Sequence, residues 1–291
     1  MDAFTIKDLE NISGIKAHTI RIWEQRYNFL KPCRSDTNIR YYCNEELKTI
    51  LNIALLNKYG FKISHIDKMQ PGEICSKILE LRDAEAINER IVNELVRSMI
   101  DLEIYEFECT LNDHIKANGI EATVKEIIFP FLEKIGILWQ TGHIMPAQEH
   151  FVSNVIRQKL IVAIDQTPTR ADGKICLLFL PEGEHHELGL LFLCYILKSR
   201  GANVIYAGAN IPMCDVGSMV IALKPELAFI HLTSTCPNFN FDKLLKCIRE
   251  KAVNVTTIIS GFPTQHYHKD IPDSIQFKKS FTEVMEFVDG I

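Results

Sequence analysis

A chain of 291 residues that is 47% hydrophobic and 24% charged has the composition of a folded protein of two or three domains. Its longest apolar stretch, Leu188 to Leu197, is about half a membrane crossing, and residues 1–20 lack the apolar core of a secretion signal, so a cytoplasmic protein without membrane insertion is expected. Nine cysteines without a Cys-x-x-Cys pair argue against a disulfide frame or a zinc cluster and read as reduced, mostly buried thiols.

Charge is unevenly spread. Residues 1–70 hold eleven Lys and Arg against eight Asp and Glu, a net +3 that leaves −8 on the remainder of a chain whose total is −5. A basic head on an acidic body suits an anionic partner at one end. Within the head, Thr5-Ile6-Lys7-Asp8 is a capping-box pattern opening a helix to about Ile12. Gly14 supplies a turn, and KAHTIRIWEQRY predicts a second helix from about Lys16 to Tyr27. Ile15, Ile20 and Trp23 form its apolar stripe, while His18, Thr19, Arg21 and Arg26 are polar, which is the division a recognition helix needs. Residues 31–34 and 38–42 flank a turn at Ser35 to Thr37 and predict a two-stranded wing with cations and phenols near phosphates. Helices at about 44–58 and 62–69 follow.

HTIRIWEQRY, the Asn38-Ile39-Arg40-Tyr41-Tyr42 run and LLNKYGFKISHI together resemble the winged helix-turn-helix of the MerR family over residues 4–69. The resemblance implies double-stranded DNA as partner, with Thr19, Arg21, Arg26, Arg34, Arg40 and Tyr41 at the DNA surface and Trp23 mainly packing. Cys33 and Cys43 lie within the wing region and are read as packing rather than as a metal sensor.

Pro71-Gly72 marks the expected boundary after the head. Apolar spacings of three and four predict helices at 85–100, 101–117, 119–140, with Pro130 as a kink, and 146–166, which suggests a four-helix bundle. From 174 the pattern alternates. Strands at about 174–180, 203–207, 226–233, 255–260 and 274–278, separated by helical stretches, predict an α/β doubly wound parallel sheet, Rossmann-like in plan. The division is therefore 1–72, 73–168 and 169–291.

The loop after the first of these strands reads Glu182-Gly183-Glu184-His185-His186-Glu187-Leu188-Gly189. Open α/β sheets bind ligands at this end of a strand. Three carboxylates disfavour a phosphate, and two adjacent histidines are too few for zinc. One axial imidazole suffices for a metal held in a macrocycle, such as corrin-bound cobalt; a solvated histidine loop is the plain alternative. Glu184-x-His186-x-x-Gly189 resembles the Asp-x-His-x-x-Gly motif of cobalamin-binding domains, with Glu for Asp. By that resemblance His186 is the lower axial cobalt ligand, Glu184 fixes its tautomer and Gly189 lets the nucleotide tail pass.

Trp139, Glu149 and His150 reproduce the Trp-x(9)-Glu-His pattern of CarH/LitR-type adenosylcobalamin photoreceptors, which implies that they contact the adenosyl group. Departures are visible. Where cobalamin-binding domains usually have Ser-x-Leu and Gly-Gly lining the tail, this chain has Thr233-Ser234-Thr235 and Gly261-Phe262, with Thr233 keeping a hydroxyl, Gly261 keeping one glycine and Phe262 expected to narrow the pocket. Gln140 stands where light-sensing members can carry a histidine, and the nearby His143 is a poor substitute. The expected function is a non-enzymatic transcriptional regulator, a repressor controlled by adenosylcobalamin and by light through a change in homo-oligomeric state, dimer or tetramer. A corrinoid methyl-transfer carrier, or a regulator that has lost cobalamin and answers to a protein, are the competing readings.

Overall fold

The computed structural model describes residues 4–36, 38–140, 142, 144–233 and 239–291, with the side chain of Gln140 also outside the described set. It forms two compact units, Met1–Val155 and Ile156–Ile291.

The first unit begins with α1 (Ile6–Ser13), closed at its start by the reciprocal Thr5 and Asp8 capping box and at its end by Gly14 at φ 75°. A left-handed residue there lets the chain reverse into α2 (Ala17–Arg26). Strands β1 (Cys33–Arg34) and β2 (Arg40–Tyr41) pair antiparallel as the expected wing. Phe4 and Tyr42 bridge beside it and are fully buried, so the wing is anchored to the start of the chain. Helices α3 (Asn44–Lys58) and α4 (Ile63–Ile66) complete the head, and Pro71 is the first residue of α5 (Pro71–Glu80), where its missing N–H costs no helical bond.

Helices α6 (Ala84–Ile100), α7 (Ile104–Thr123), α8 (Phe129–Gln140) and α9 (Pro146–Gln166) come next along the chain. The boundary between the units falls within α9. Phe107 packs against Phe131 and Phe151 at centroid distances of 5.4 and 5.3 Å, which joins α7, α8 and the start of α9 in one core. Two irregularities interrupt this run. Gly119 has φ 79° and ψ 165° inside α7, and a π turn spans Val124–Ile128, with Phe129 N–H donating to Val124 O. The widened turn ends two residues before Pro130, which has no N–H of its own to give. Lys48 pairs with Asp101 at 2.6 Å and Lys58 with Glu85 and Glu89 at 2.8 and 2.7 Å, tying α3 to α6.

In the second unit, β3 (Ile175–Pro181), β4 (Asn203–Ile211), β5 (Leu227–Leu232), β6 (Thr256–Gly261) and β7 (Ile275–Lys278) form one parallel sheet in the order β4-β3-β5-β6-β7. Connections run through α10 (Leu188–Ser199), α11 (Met213–Leu223), α12 (Phe241–Lys251) and the short α13 (Phe262–Gln265), and α14 (Phe281–Asp289) ends the chain. Leu177, Phe179, Ile230, Leu232, Leu244 and Ile248 belong to one core cluster between sheet and helices. Each fully buried aliphatic of this kind contributes about 1.5–3 kcal/mol. Because the chain leaves β3 toward β4 and later returns to β5 on the other side, a crevice opens between the ends of β3 and β5.

The thiols depart from expectation. Among the described cysteines only Cys176 and Cys194 are buried; Cys33, Cys43, Cys75 and Cys214 are exposed. The exposed four lie on the short wing, at the N-cap of α3, on α5 and in the first turn of α11, where solvent faces the chain whatever the residue's polarity. Burial pushes the Cys176 thiol up to about 12 and that of Cys194 to about 11, so neither is reactive at neutral pH.

Candidate functional site

In the head, Ile20 and Trp23 are buried and Arg21 and Arg26 are exposed on α2, so the helix divides as a recognition helix does. The Trp23 ring packs edge-on against Phe29 at 5.8 Å. Arg34 donates to Asn38 Oδ1 at 2.7 Å across the wing turn, whose Thr37 lies outside the described residues. Arg40 Nε reaches Glu24 Oε2 at 3.1 Å, while the Tyr42 hydroxyl donates to the other oxygen of Glu24. Glu24 therefore ties the wing back onto α2. Its role was not legible in the sequence, where it reads as one more charge on the polar face. Tyr41 is half-buried beside Cys33, whose thiol pushes the phenol's pKa up.

At the end of the helical region, Gly142 at φ 74° donates its N–H to Trp139 O and turns the chain from α8 toward α9. Gln148 donates to Met99 O and Ile100 O at 3.4 and 3.0 Å, which brings the start of α9 to the end of α6. Trp139 is 47% exposed, and Leu102, Ile104, Tyr105 and Met145 are also exposed on these helix ends. Glu149 meets His150 Nδ1 at 3.0 Å and accepts from Ser153 Oγ at 2.6 Å, so its carboxylate is positioned. His143 lies outside the described residues.

In the sheet unit, Gly183 at φ 89° donates to Asn210 Oδ1, and Asn210 N–H donates to Glu184 O, which fixes the loop leaving β3. The Glu184 side chain is 3% exposed. Its Oε1 accepts from His185 N and His186 N, each at 2.9 Å, and from His186 Nδ1 at 2.7 Å. A carboxylate can only accept, so Nδ1 carries the proton and Nε2 carries the lone pair. The His186 side chain is 60% exposed. Such an imidazole is oriented to occupy one position of a metal whose remaining ligands come from elsewhere. No carboxylate fixes the ring of the neighbouring His185 in this way among the described contacts.

Around it, Glu187 accepts from Arg157 Nε at 2.5 Å and from the Tyr206 hydroxyl at 2.6 Å, fixing the entry to α10. Thr233 Oγ1 lies 3.5 Å from His186 O; Ser234 and Thr235 are outside the described residues. Gly261 has φ 104°, and a Cβ there would sit 2.0 Å from Leu232 O, so no other residue fits. Phe262 is 58% exposed and pairs with His266 at 4.7 Å rather than filling the crevice. The group that does stand against Gly189 is His231, which the sequence presents as a core residue of an apolar strand. A Cβ on Gly189 would lie 2.4 Å from its Cδ2 and 2.8 Å from its Nε2. His231 Nδ1 bonds Ser260 Oγ at 2.9 Å on the paired strand.

A winged helix-turn-helix, a helical segment and a parallel sheet with an acid-fixed histidine define a DNA-binding regulator carrying a corrinoid-type module. Residues 4–73 match the MerR HTH family regulatory protein model, and residues 91–163 match the B12 binding domain model. The chain is homologous to the HTH-type transcriptional repressor CarA of Myxococcus xanthus, at 27% identity over 91% of this chain and 89% of that one. It is likewise homologous to CarH of the same organism, at 25% identity over 85% and 84%. The monomethylamine corrinoid protein of Methanosarcina barkeri superposes with a TM-score of 0.57 at 13% identity over 70% of this chain and 99% of that one, a likeness of fold. No helix among the described residues is long and apolar enough to cross a membrane.

Proposed function

We propose that this protein is a cytoplasmic repressor that binds operator DNA through its head, holds adenosylcobalamin through its other two segments, and releases DNA in light. The functional division is 1–72 for DNA, 73–168 for the cap over the adenosyl group and 169–291 for the corrin and its tail. The observation that carries the reading is the Glu184–His186 pair: one buried carboxylate oxygen holds both the backbone and Nδ1, leaving Nε2 as the basic nitrogen.

When bound, adenosylcobalamin supplies a cobalt–carbon bond that visible light breaks. The residues supply the rest. His186 would take the lower axial position, with Glu184 holding its tautomer. Gly189, Thr233 and Gly261 would line the tail, and Trp139, Glu149 and His150 would form the adenosyl-facing wall. Thr19, Arg21, Arg26, Arg34, Arg40 and Tyr41 would meet the duplex. Weak heads act together only in an assembly, so occupancy of the cofactor site controls DNA affinity by holding a homo-oligomer, dimer or tetramer, together. Absorbance of the full chain after dark incubation with adenosylcobalamin tests the site. A histidine-bound, base-off spectrum is expected from the native chain and from His185→Ala, and its loss from His186→Ala; equal behaviour of the two variants overturns the axial assignment.

A further inference from the structure

A histidine can take the lower axial position only if the cofactor's own base leaves it, and the displaced base then needs a place beneath the corrin, on the sheet side of His186. The fold offers one: the crevice at the switch point between β3 and β5, bordered by the first turn of α10. Resting on the function proposed above, we infer that His231 is a specificity-determining residue that obstructs this crevice and makes the site discriminate between corrinoids by the size of their lower tail.

The obstruction is geometric. His231 sits one residue before the end of β5, and its ring faces α10 so closely that even one methyl group on Gly189 would collide with it. The space beside Gly189, which the tail would need, is therefore taken by an imidazole from the chain itself. The ring is held from the other side, because His231 and Ser260 are register partners on β5 and β6 and their side chains are bonded at 2.9 Å. Gly261 comes directly after Ser260, and its lack of a side chain is required by Leu232 O at the same strand ends. The two glycines at the crevice are thus both occupied by neighbouring protein atoms. Burial lowers the His231 pKa, against the weaker pull of Glu184, so the ring is a neutral and compact plug at pH 7. A bulky displaced base enters only in the fraction of molecules whose His231 has turned away from Ser260, and its apparent affinity falls by that fraction. A corrinoid without a nucleotide tail needs no such turn.

The test is a dark absorbance titration of the full chain with two probes: adenosylcobalamin and adenosylcobinamide, which shares the corrin and adenosyl group but lacks the nucleotide. His231→Ser and His231→Thr, both small and able to keep a hydroxyl near Ser260, are compared with the native chain. Both substitutions are expected to tighten adenosylcobalamin by about tenfold while moving adenosylcobinamide by less than about twofold. The red shift of adenosylcobinamide on binding reports His186 ligation independently of any tail. Parallel changes for the two probes, or no change for either, overturn the role of His231. If neither probe binds the native chain or the variants, the cobalamin reading itself falls, and this inference with it. If adenosylcobinamide binds with its red shift but both variants leave adenosylcobalamin unchanged, only the role of His231 falls.

Discussion

Glu184 combines two demands that are usually separate: it is nearly inaccessible, and one of its oxygens receives three donors. Hydrogen bonds to a charged group are worth roughly 1.5–3 kcal/mol each, and their loss together leaves two part-buried amides without this acceptor. Glu184→Ala is therefore expected to destabilise the sheet unit by roughly 3 kcal/mol in urea unfolding, well beyond the effect of His186→Ala, whose side chain is mostly exposed. Equal losses for the two variants would make the pair a folding element rather than a ligand mount. The Glu184–His186 pair was legible through its resemblance to the Asp-x-His-x-x-Gly motif of cobalamin-binding domains, with the loop after a parallel strand as its expected place. His231 was not, since Leu-Ala-Phe-Ile-His-Leu reads as buried strand and only the register with Ser260 and the approach of Gly189 expose its place. Nor could composition separate buried from exposed thiols, because exposure at Cys33 and Cys43 arises from their places at element ends rather than from residue type.

Elements of strong period were readable, and some of their joints were too. All five sheet strands and α2 are marked by the apolar pattern, and the break at Gly119 falls where the sequence separates a helix ending at 117 from one beginning at 119, whereas the π turn at Val124–Ile128 reflects local backbone geometry that no period encodes. The Gly119 break is spanned by a clip: His114 Nδ1 meets Thr123 Oγ1 at 2.8 Å, and that hydroxyl donates to Gly119 O at 2.7 Å. Burial lowers the His114 pKa, with Glu126 pulling weakly the other way. Its unfolded value is near 6.5, so above that pH neither state is charged, and as pH falls below it the unfolded chain takes up the proton first. Stability from this site is thus present above about pH 6.5 and declines as acid brings the pH toward the lower folded pKa. His114→Gln, which keeps a hydrogen-bonding group without a charge, is expected to flatten the decline in urea midpoints between pH 7.5 and 5; an unchanged slope would show that His114 does not contribute. Arg40 on the wing is held by Glu24, while Arg21 on α2 is exposed. Each Ala variant is expected to reduce the salt slope of operator binding by about one if it loses a phosphate contact, or to relax one base position if it loses a base contact. Unchanged binding in both would displace the proposed DNA surface.

For the molecule as a whole, control of DNA by a cofactor requires that an event at one site alter how many heads act together. Photolysis belongs to the cobalt–carbon bond and does not depend on which residue stands after Trp139. On the proposed function, the fate of the photolysed corrin would depend on that residue. A histidine there would supply a second axial nitrogen and retain the corrin, whereas the neutral amide of Gln140 is a poor ligand for cobalt. On the proposed function, illumination is expected to leave a state that loses corrin readily, and the proposed homo-oligomer should dissociate in light and return when fresh adenosylcobalamin is added in the dark. Gln140→His should slow that loss without slowing photolysis, because it adds a ligand but leaves the bond that light breaks untouched. Size-exclusion chromatography with absorbance spectra and operator gel shifts, run on dark and illuminated samples of both chains, separates these steps. If adenosylcobalamin binds in the dark but assembly and DNA affinity remain the same after complete photolysis, light is not the signal, and the cofactor acts as a light-independent effector through the same His186.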